Sequence, residues 1–130
     1  MNKKIRVSSG AVWEDKVGYS RAVRVGNIIE VSGTAAIDRD KIISPGNVQG
    51  QTEFIIQKIE RALKEAGGTL NDVVRTRIYV TDISQWEAVG KVHGEFFKDI
   101  KPATTMIEVK SFIDPNFLVE IEATAILTGE

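Results

Sequence analysis

Val119-Glu120-Ile121-Glu122-Ala123-Thr124-Ala125-Ile126-Leu127 sets an apolar residue at every odd position, with Glu120, Glu122, Thr124 and Ile126 between. A repeat of two is the strand period, and it lays one side of the pleat on a core. Val74-Arg75-Thr76-Arg77-Ile78-Tyr79-Val80 repeats it, Val74, Thr76, Ile78 and Val80 facing one way. A shorter run sets Thr105, Ile107 and Val109 against Thr104, Met106 and Glu108. Upstream, residues 20–25 and 28–32 flank Gly26-Asn27, which reads as a hairpin turn although its order inverts the favoured Asn-Gly.

Between the strands lie two segments of helical period. From 48 to 66 the apolar positions Val48, Ile55, Ile59, Ala62, Leu63 and Ala66 share a face, and Gly67-Gly68 stops the helix. From about 85 to 98 the stripe is Trp86, Val89, His93, Phe96 and Phe97. Ser84-Gln85-Trp86-Glu87 has capping-box spacing at its start, and Pro102 follows its end. The expected order is ββαβαββ in an α+β fold, a mixed sheet with both helices on one face. No repeat or low-complexity stretch divides the chain, so residues 1–130 are expected to form a single domain.

Composition narrows the function. Of the 130 residues 42% are hydrophobic and 27% charged, the balance of a soluble globular chain. With 17 basic and 18 acidic residues the net charge is −1, which argues against a nucleic-acid partner or a polybasic membrane surface. The absence of cysteine excludes thiolate nucleophiles and Cys-based zinc sites. One histidine provides no pair for a metal centre or for ribonuclease-type acid–base work, so His93 reads as a packed or satisfied core residue. No phosphate loop of the G-x-x-x-x-G-K-[ST] kind occurs. No apolar run approaches a membrane span, and Met1-Asn2-Lys3-Lys4-Ile5-Arg6 lacks the apolar stretch of a signal peptide, so a cytoplasmic location is expected.

The second face of the sheet carries the site candidates. If the apolar parity lies under the helices, the other presents Arg75, Arg77, Tyr79, Thr104, Met106, Glu108, Glu120 and Glu122. Such a face suits solvent or an interface between subunits, and its charges suit a cross-strand ladder or a small polar cleft. In a cleft, Glu120 or Glu122 would position a water or move a proton. Tyr19, Ser32 or Thr104 would donate hydrogen bonds, and Arg75 or Arg77 would grip a carboxylate. Trp13, expected in a loop, would line a cleft or pack over a sheet edge.

Gly26-Asn27-Ile28-Ile29-Glu30-Val31-Ser32-Gly33 resembles the G-N-x-x-x-x-S-G hairpin of the RidA/YjgF family. Gln51-Thr52, Ala66-Gly67-Gly68, Tyr79-Val80-Thr81-Asp82-Ile83, Pro102-Ala103-Thr104-Thr105-Met106 and Val119-Glu120-Ile121-Glu122-Ala123 fit the same family in order, over nearly the whole chain. The resemblance implies a chorismate-mutase-like subunit in a homotrimer, its sheets forming a central β-barrel with ligand clefts between subunits. It also implies hydrolysis of reactive enamines and imines to a keto compound and ammonia, with no metal or organic cofactor. In the family an arginine holds the substrate carboxylate and a glutamate places the water. Glu120 matches that glutamate, Tyr19 the tyrosine and Ser32-Gly33 the S-G step, with Thr104, Met106 and Arg77 as further candidates for substrate binding.

Two positions depart from the active pattern. The segment that reads P-A-R in active deaminases is Pro102-Ala103-Thr104 here, and Gly90 stands where many members carry asparagine. Thr104 offers a hydroxyl and no charge, so 2-aminoacrylate is not the expected substrate. Arg77, Arg75 or Arg21 is the substitute anchor to look for. The expected function is an imine or enamine hydrolase with a shifted substrate. The alternative is a non-catalytic homotrimer that binds a small metabolite in the same intersubunit cleft.

Overall fold

The computed structural model describes residues 3–128. Its strands are β1 (Lys4–Val7), β2 (Ala22–Val25), β3 (Ile28–Thr34), β4 (Ile37–Asp38), β5 (Lys41–Ile42), β6 (Val73–Val80), β7 (Ala103–Glu108) and β8 (Val119–Ile126). Its α-helices are α1 (Val12–Val17), α2 (Val48–Glu65) and α3 (Trp86–Phe97). Six strands form one sheet in the order β1-β2-β3-β8-β6-β7, while β4 and β5 make a separate small hairpin. Among the described strands only β6 and β7 run parallel, with α3 as their crossover, so the sheet is mixed as expected. Strand β1, helix α1 and the β4–β5 hairpin were not expected from the sequence. Each is short, and none carries enough residues to display a period.

The alternation in β8 is realised in full: Val119, Ile121, Ala123 and Ala125 are buried, and Glu120, Glu122 and Thr124 are half-buried on the far side. Helix α2 packs its Ile55, Ile56, Ile59 and Leu63 on that apolar side, each at most 1% exposed. Helix α3 lies on the same side, where His93 Nε2 meets Thr76 Oγ1 of β6 at 2.9 Å and the imidazole stacks on Phe97. Burial lowers the His93 pKa, so the ring is neutral at physiological pH. This is the satisfied core histidine the sequence implied.

The turn at Gly26-Asn27 forms between Val25 and Ile28. Gly26 takes φ 61° and Asn27 has no positive φ, the pattern of a II′ turn, in which glycine comes first. That explains the inverted residue order.

The structure departs from the sequence pattern at four places. A bulge between Val73 and Arg75 buries Val73 and turns Val74 outward, so the alternation of β6 starts at Thr76. In β7, Thr104 pairs with Thr76 and Met106 with Ile78, so both lie on the helix side. Ala103, Thr105 and Ile107 take the open face instead. This edge strand has β-branched residues on both parities and so gives no contrast from which to read its sides. The expected capping box is absent: Ser84 N and Oγ both donate to Asp82 Oδ1, which caps the 3-10 turn Ile83–Gln85. Trp86 leaves that turn outward and is 56% exposed rather than part of the stripe.

Candidate functional site

At one margin of the sheet the pairing of β3 with β8 breaks between Val31 and Thr34, and the extra residue makes a bulge at Ser32-Gly33. A bulge leaves backbone carbonyls without ladder partners. Arg21, which immediately precedes β2, provides the donors. Its Nη1 donates to Gly33 O at 2.6 Å and to Thr34 Oγ1 at 3.1 Å. Its Nε donates to Glu14 Oε2 of α1 at 3.2 Å, and the two side chains are 4% and 3% exposed. Glu14 also accepts from Ser8 Oγ, Ser9 Oγ and Ser9 N. Burial alone would raise the Glu14 pKa. The Ser9 and Ser8 hydrogen bonds and then the Arg21 charge outweigh it and hold the carboxyl below its ordinary value. The remaining Arg21 nitrogen, Nη2, donates one hydrogen bond among the described residues, to Tyr19 OH at 3.4 Å, and the guanidinium lies 5.5 Å from the Tyr19 ring centroid.

Against this bulge stands Glu120, the second residue of β8, on the open face beside Tyr79. A Cβ built on Gly33 would fall 2.8 Å from Glu120 Oε1, so the glycine is what lets the carboxylate lie against the bulge. The neighbouring Glu122 accepts from Tyr79 OH at 3.2 Å and faces Arg77 Nη1 at 3.8 Å. Among the described residues no group donates a hydrogen bond to the Glu120 carboxylate. Burial raises its pKa; the Arg21 charge opposes this and the Glu122 charge adds to it. The carboxyl is thereby moved toward the range in which it can both take and return a proton near neutral pH.

Glu120 lines a cavity of about 200 Å³ with Tyr19, Arg21, Gly33 and Lys58 as its other polar walls. Trp13 and Val17 of α1, with Ile113 and Phe117, form the apolar wall. Trp13 meets Phe117 edge to face at 5.9 Å, so Trp13 sits in a helix that lines the cavity and not in a loop. The loop bearing Phe117 is fixed by buried Gln51 of α2, whose Nε2 donates to Asn116 O and whose Oε1 accepts from Leu118 N, both at 2.9 Å.

Of the residues singled out from sequence, Glu120, Tyr19, Gly33, Arg21 and Trp13 come together here. Ser32 lies in the bulge, but its hydroxyl donates to Ser20 O at 2.6 Å, leaving only lone pairs for a ligand. Arg77 is on the open face with Glu122, and Arg75 Nη2 donates to Thr105 Oγ1 at 2.7 Å; neither lines the cavity. Thr104 is on the opposite side, its Oγ1 2.7 Å from Thr76 Oγ1, and Met106 packs against the core. Within one chain, then, Arg77, Thr104 and Met106 do not join Glu120. Lys58 was missed altogether. Its only sequence signal is a lysine one residue from Ile59 on the apolar face of α2, where a charge is out of place.

Fold and cavity together define a small α+β protein with a carboxylate-bearing cavity beside the bulge of a mixed sheet. The family model described as Endoribonuclease L-PSP matches residues 13–127. Over 108 residues the chain is 39% identical to a RutC family protein of Pyrococcus abyssi, covering 82% of this chain and 84% of that one. It is 31% identical over 108 residues to the 3-aminoacrylate deaminase RutC of Acinetobacter baylyi, with coverage of 82% and 85%. A solved structure from Mycobacterium tuberculosis, of a member of the YjgF/YER057c/UK114 family, shares 49% identity at a TM-score of 0.88. That match covers 96% of this chain and 100% of the other. The chain belongs to the YjgF/RidA family.

Proposed function

We propose that this protein is an imine or enamine deaminase working without a bound cofactor, with Glu120 managing the water. The observation that carries this reading is the Glu120 carboxylate itself. It is half-buried, has no hydrogen-bond donor among the described residues, and faces a cavity walled by Tyr19, Arg21 and Gly33. A carboxylate with only a structural role is tied, as Glu122 is by Tyr79 and Arg77. Glu120 is left open to a ligand and its water. The similarity to a relative named as a 3-aminoacrylate deaminase supports the same chemistry.

The steps follow from the groups present. A protonated imine (an iminium with two hydrogens on nitrogen) enters with its carbon toward Glu120. Glu120 takes a proton from water as the oxygen attacks that carbon, and a C–O bond forms as the π bond between carbon and nitrogen opens. Glu120 returns the proton to the amine nitrogen. The C–N bond then breaks as the new hydroxyl gives its proton to Glu120, which passes it to the departing ammonia, and the keto compound and ammonium leave. Tyr19 OH and the backbone of the Gly33 bulge orient the substrate. General base and acid assistance of this kind contributes roughly 10²–10⁴-fold.

We further infer a homotrimer in which the cavity is closed by a neighbouring subunit. Thr104, on the exposed edge strand β7, then contributes to a cleft across the interface, and Met106 and Arg77 act through the strand edges they support. The alternative, a non-catalytic trimer that binds a metabolite, uses the same cavity and differs only in turnover. An amino-acid oxidase coupled assay separates them, timing keto-product release from a panel of imines with and without the protein. Acceleration is the expected result. Tight product or analogue binding with no acceleration across the panel would leave the binding trimer.

A further inference from the structure

The buried face of α2 is aliphatic except where Gln51, Thr52 and Lys58 interrupt it. Gln51 and Thr52 have partners for their polar atoms: Gln51 holds the loop before β8, and Thr52 Oγ1 donates to Val48 O. Lys58 is different. It is only 6% exposed, and its Nζ donates one hydrogen bond, to Ile37 O at 2.8 Å. An ammonium has three donors. Among the described residues no carboxylate comes within ion-pair distance of it, and the nearby Arg21 is already neutralised by Glu14. Glu14 and Arg21 pair with each other, which leaves the Lys58 ammonium with no direct ion-pair partner among the described residues and the Glu120 carboxylate as the acidic group on the same cavity; buried charges are paired or bind something that pairs them.

Lys58 and Arg21 together form a partition. On one side is the Glu120 cavity, and on the other a smaller cavity of about 130 Å³ lined also by Ser8, Ser9 and Asp38. On the Glu120 side the cationic end faces an apolar wall of Trp13, Val17, Ile113 and Phe117.

The geometry points to an anion subsite in the Glu120 cavity, built by Lys58 Nζ and Arg21 Nη2, that receives the carboxylate of a small 2-imino or 2-oxo acid with an apolar side chain. This rests on the cleft assigned above but not on its catalytic chemistry. It supplies, from α2 and the approach to β2, the positive charge that Thr104 lacks. The state of Lys58 agrees. Burial first, and then the Arg21 and Arg61 charges against those of Glu14 and Asp38, bring its pKa down to about 8. Glu120 on the same cavity and Glu65 on the smaller one are the other charged groups around it. A bound carboxylate would oppose this shift and raise the pKa again.

The test is calorimetric titration of 3-methyl-2-oxobutanoate and of its uncharged amide into the intact protein and into Lys58→Met, which keeps the volume and removes the charge. The carboxylate should bind the wild type at least tenfold more tightly than the variant, and the amide should not distinguish them. A second measurement needs no variant: the carbon-13 shift of Lys58 Cε, titrated with pH, should report a higher pKa with the carboxylate bound. Equal carboxylate affinity in both proteins, no binding to the wild type, or an unmoved lysine pKa would overturn the subsite. Hydrolysis of imines with no preference for a carboxylate would remove the subsite and leave the deaminase. Lys58-dependent binding without hydrolysis would do the reverse.

Discussion

Glu120 and Glu122 are two residues apart on one strand face, and strand period alone leaves them interchangeable; only the family resemblance picks out Glu120. Their surroundings separate them. Glu122 is fixed by Tyr79 and Arg77, whereas Glu120 abuts Gly33 with no donor and a raised pKa. Gly33→Ala tests the contact directly. The new methyl would lie 2.8 Å from Oε1 and push the carboxylate out of place, so we expect at least a tenfold loss in kcat with the fold retained, checked by steady-state kinetics and circular dichroism. The pH profile is a second test. A base must be deprotonated, so kcat/KM should rise with pH through a value above the ordinary carboxylate 4.5. On the high side it should fall near 8 as Lys58 loses its proton and the carboxylate subsite its charge. A bell with those limbs, its alkaline limb missing in Lys58→Met, is the expected outcome.

At the scale of elements, the margin beside Glu120 is held by a contact between one short helix and one bulge. Glu14 on α1 and the carbonyls of β3 meet through the single guanidinium of Arg21. Removing either partner leaves a buried charge uncompensated, which costs about 3–5 kcal/mol. Glu14→Ala and Arg21→Met should each lose stability of that order in urea unfolding, and the double variant less than the sum. The Glu14 pKa is lower folded than unfolded, so its contribution is present above about 4.5 and disappears as pH falls through the folded value. Wild type should therefore lose more stability than Glu14→Gln between pH 6 and 3. This arrangement was not legible in the sequence. The strands β6 and β8 and the helix α2 were, because each is long enough to show its period and has one buried side. The Ser32-Gly33 bulge depends on Arg21, a residue about a dozen positions upstream, and no local pattern records that pairing. The sides of β7 were misread for the complementary reason that an exposed edge strand is under little pressure to alternate.

For the whole molecule, the side of the sheet opposite α2 and α3 is covered by neither of those helices. Val25, Ile28, Val74, Ile107 and Ile126 are each 40–49% exposed there, interspersed with Arg75, Arg77, Glu30 and Glu122. Apolar side chains set among self-pairing charges suit contact with further copies of the chain better than water. The proposed homotrimer gives that face its cover, and sedimentation equilibrium should return three chain masses. Ile107→Arg should dissociate it and lower activity together with mass. The family resemblance made the fold and the place of the candidate glutamate readable from sequence. Of the proposed anion subsite the sequence offered Arg21 among the substitute anchors but not Lys58, which lies on a different element from Thr104 and lines the cavity only in the folded chain. In the proposed function Glu120 performs the chemistry. Its most direct test is the single-turnover rate of imine hydrolysis in wild type and Glu120→Gln, with ligand affinity measured in both. We predict a drop of about 10²–10⁴-fold with affinity retained. An unchanged rate in Glu120→Gln would contradict the account.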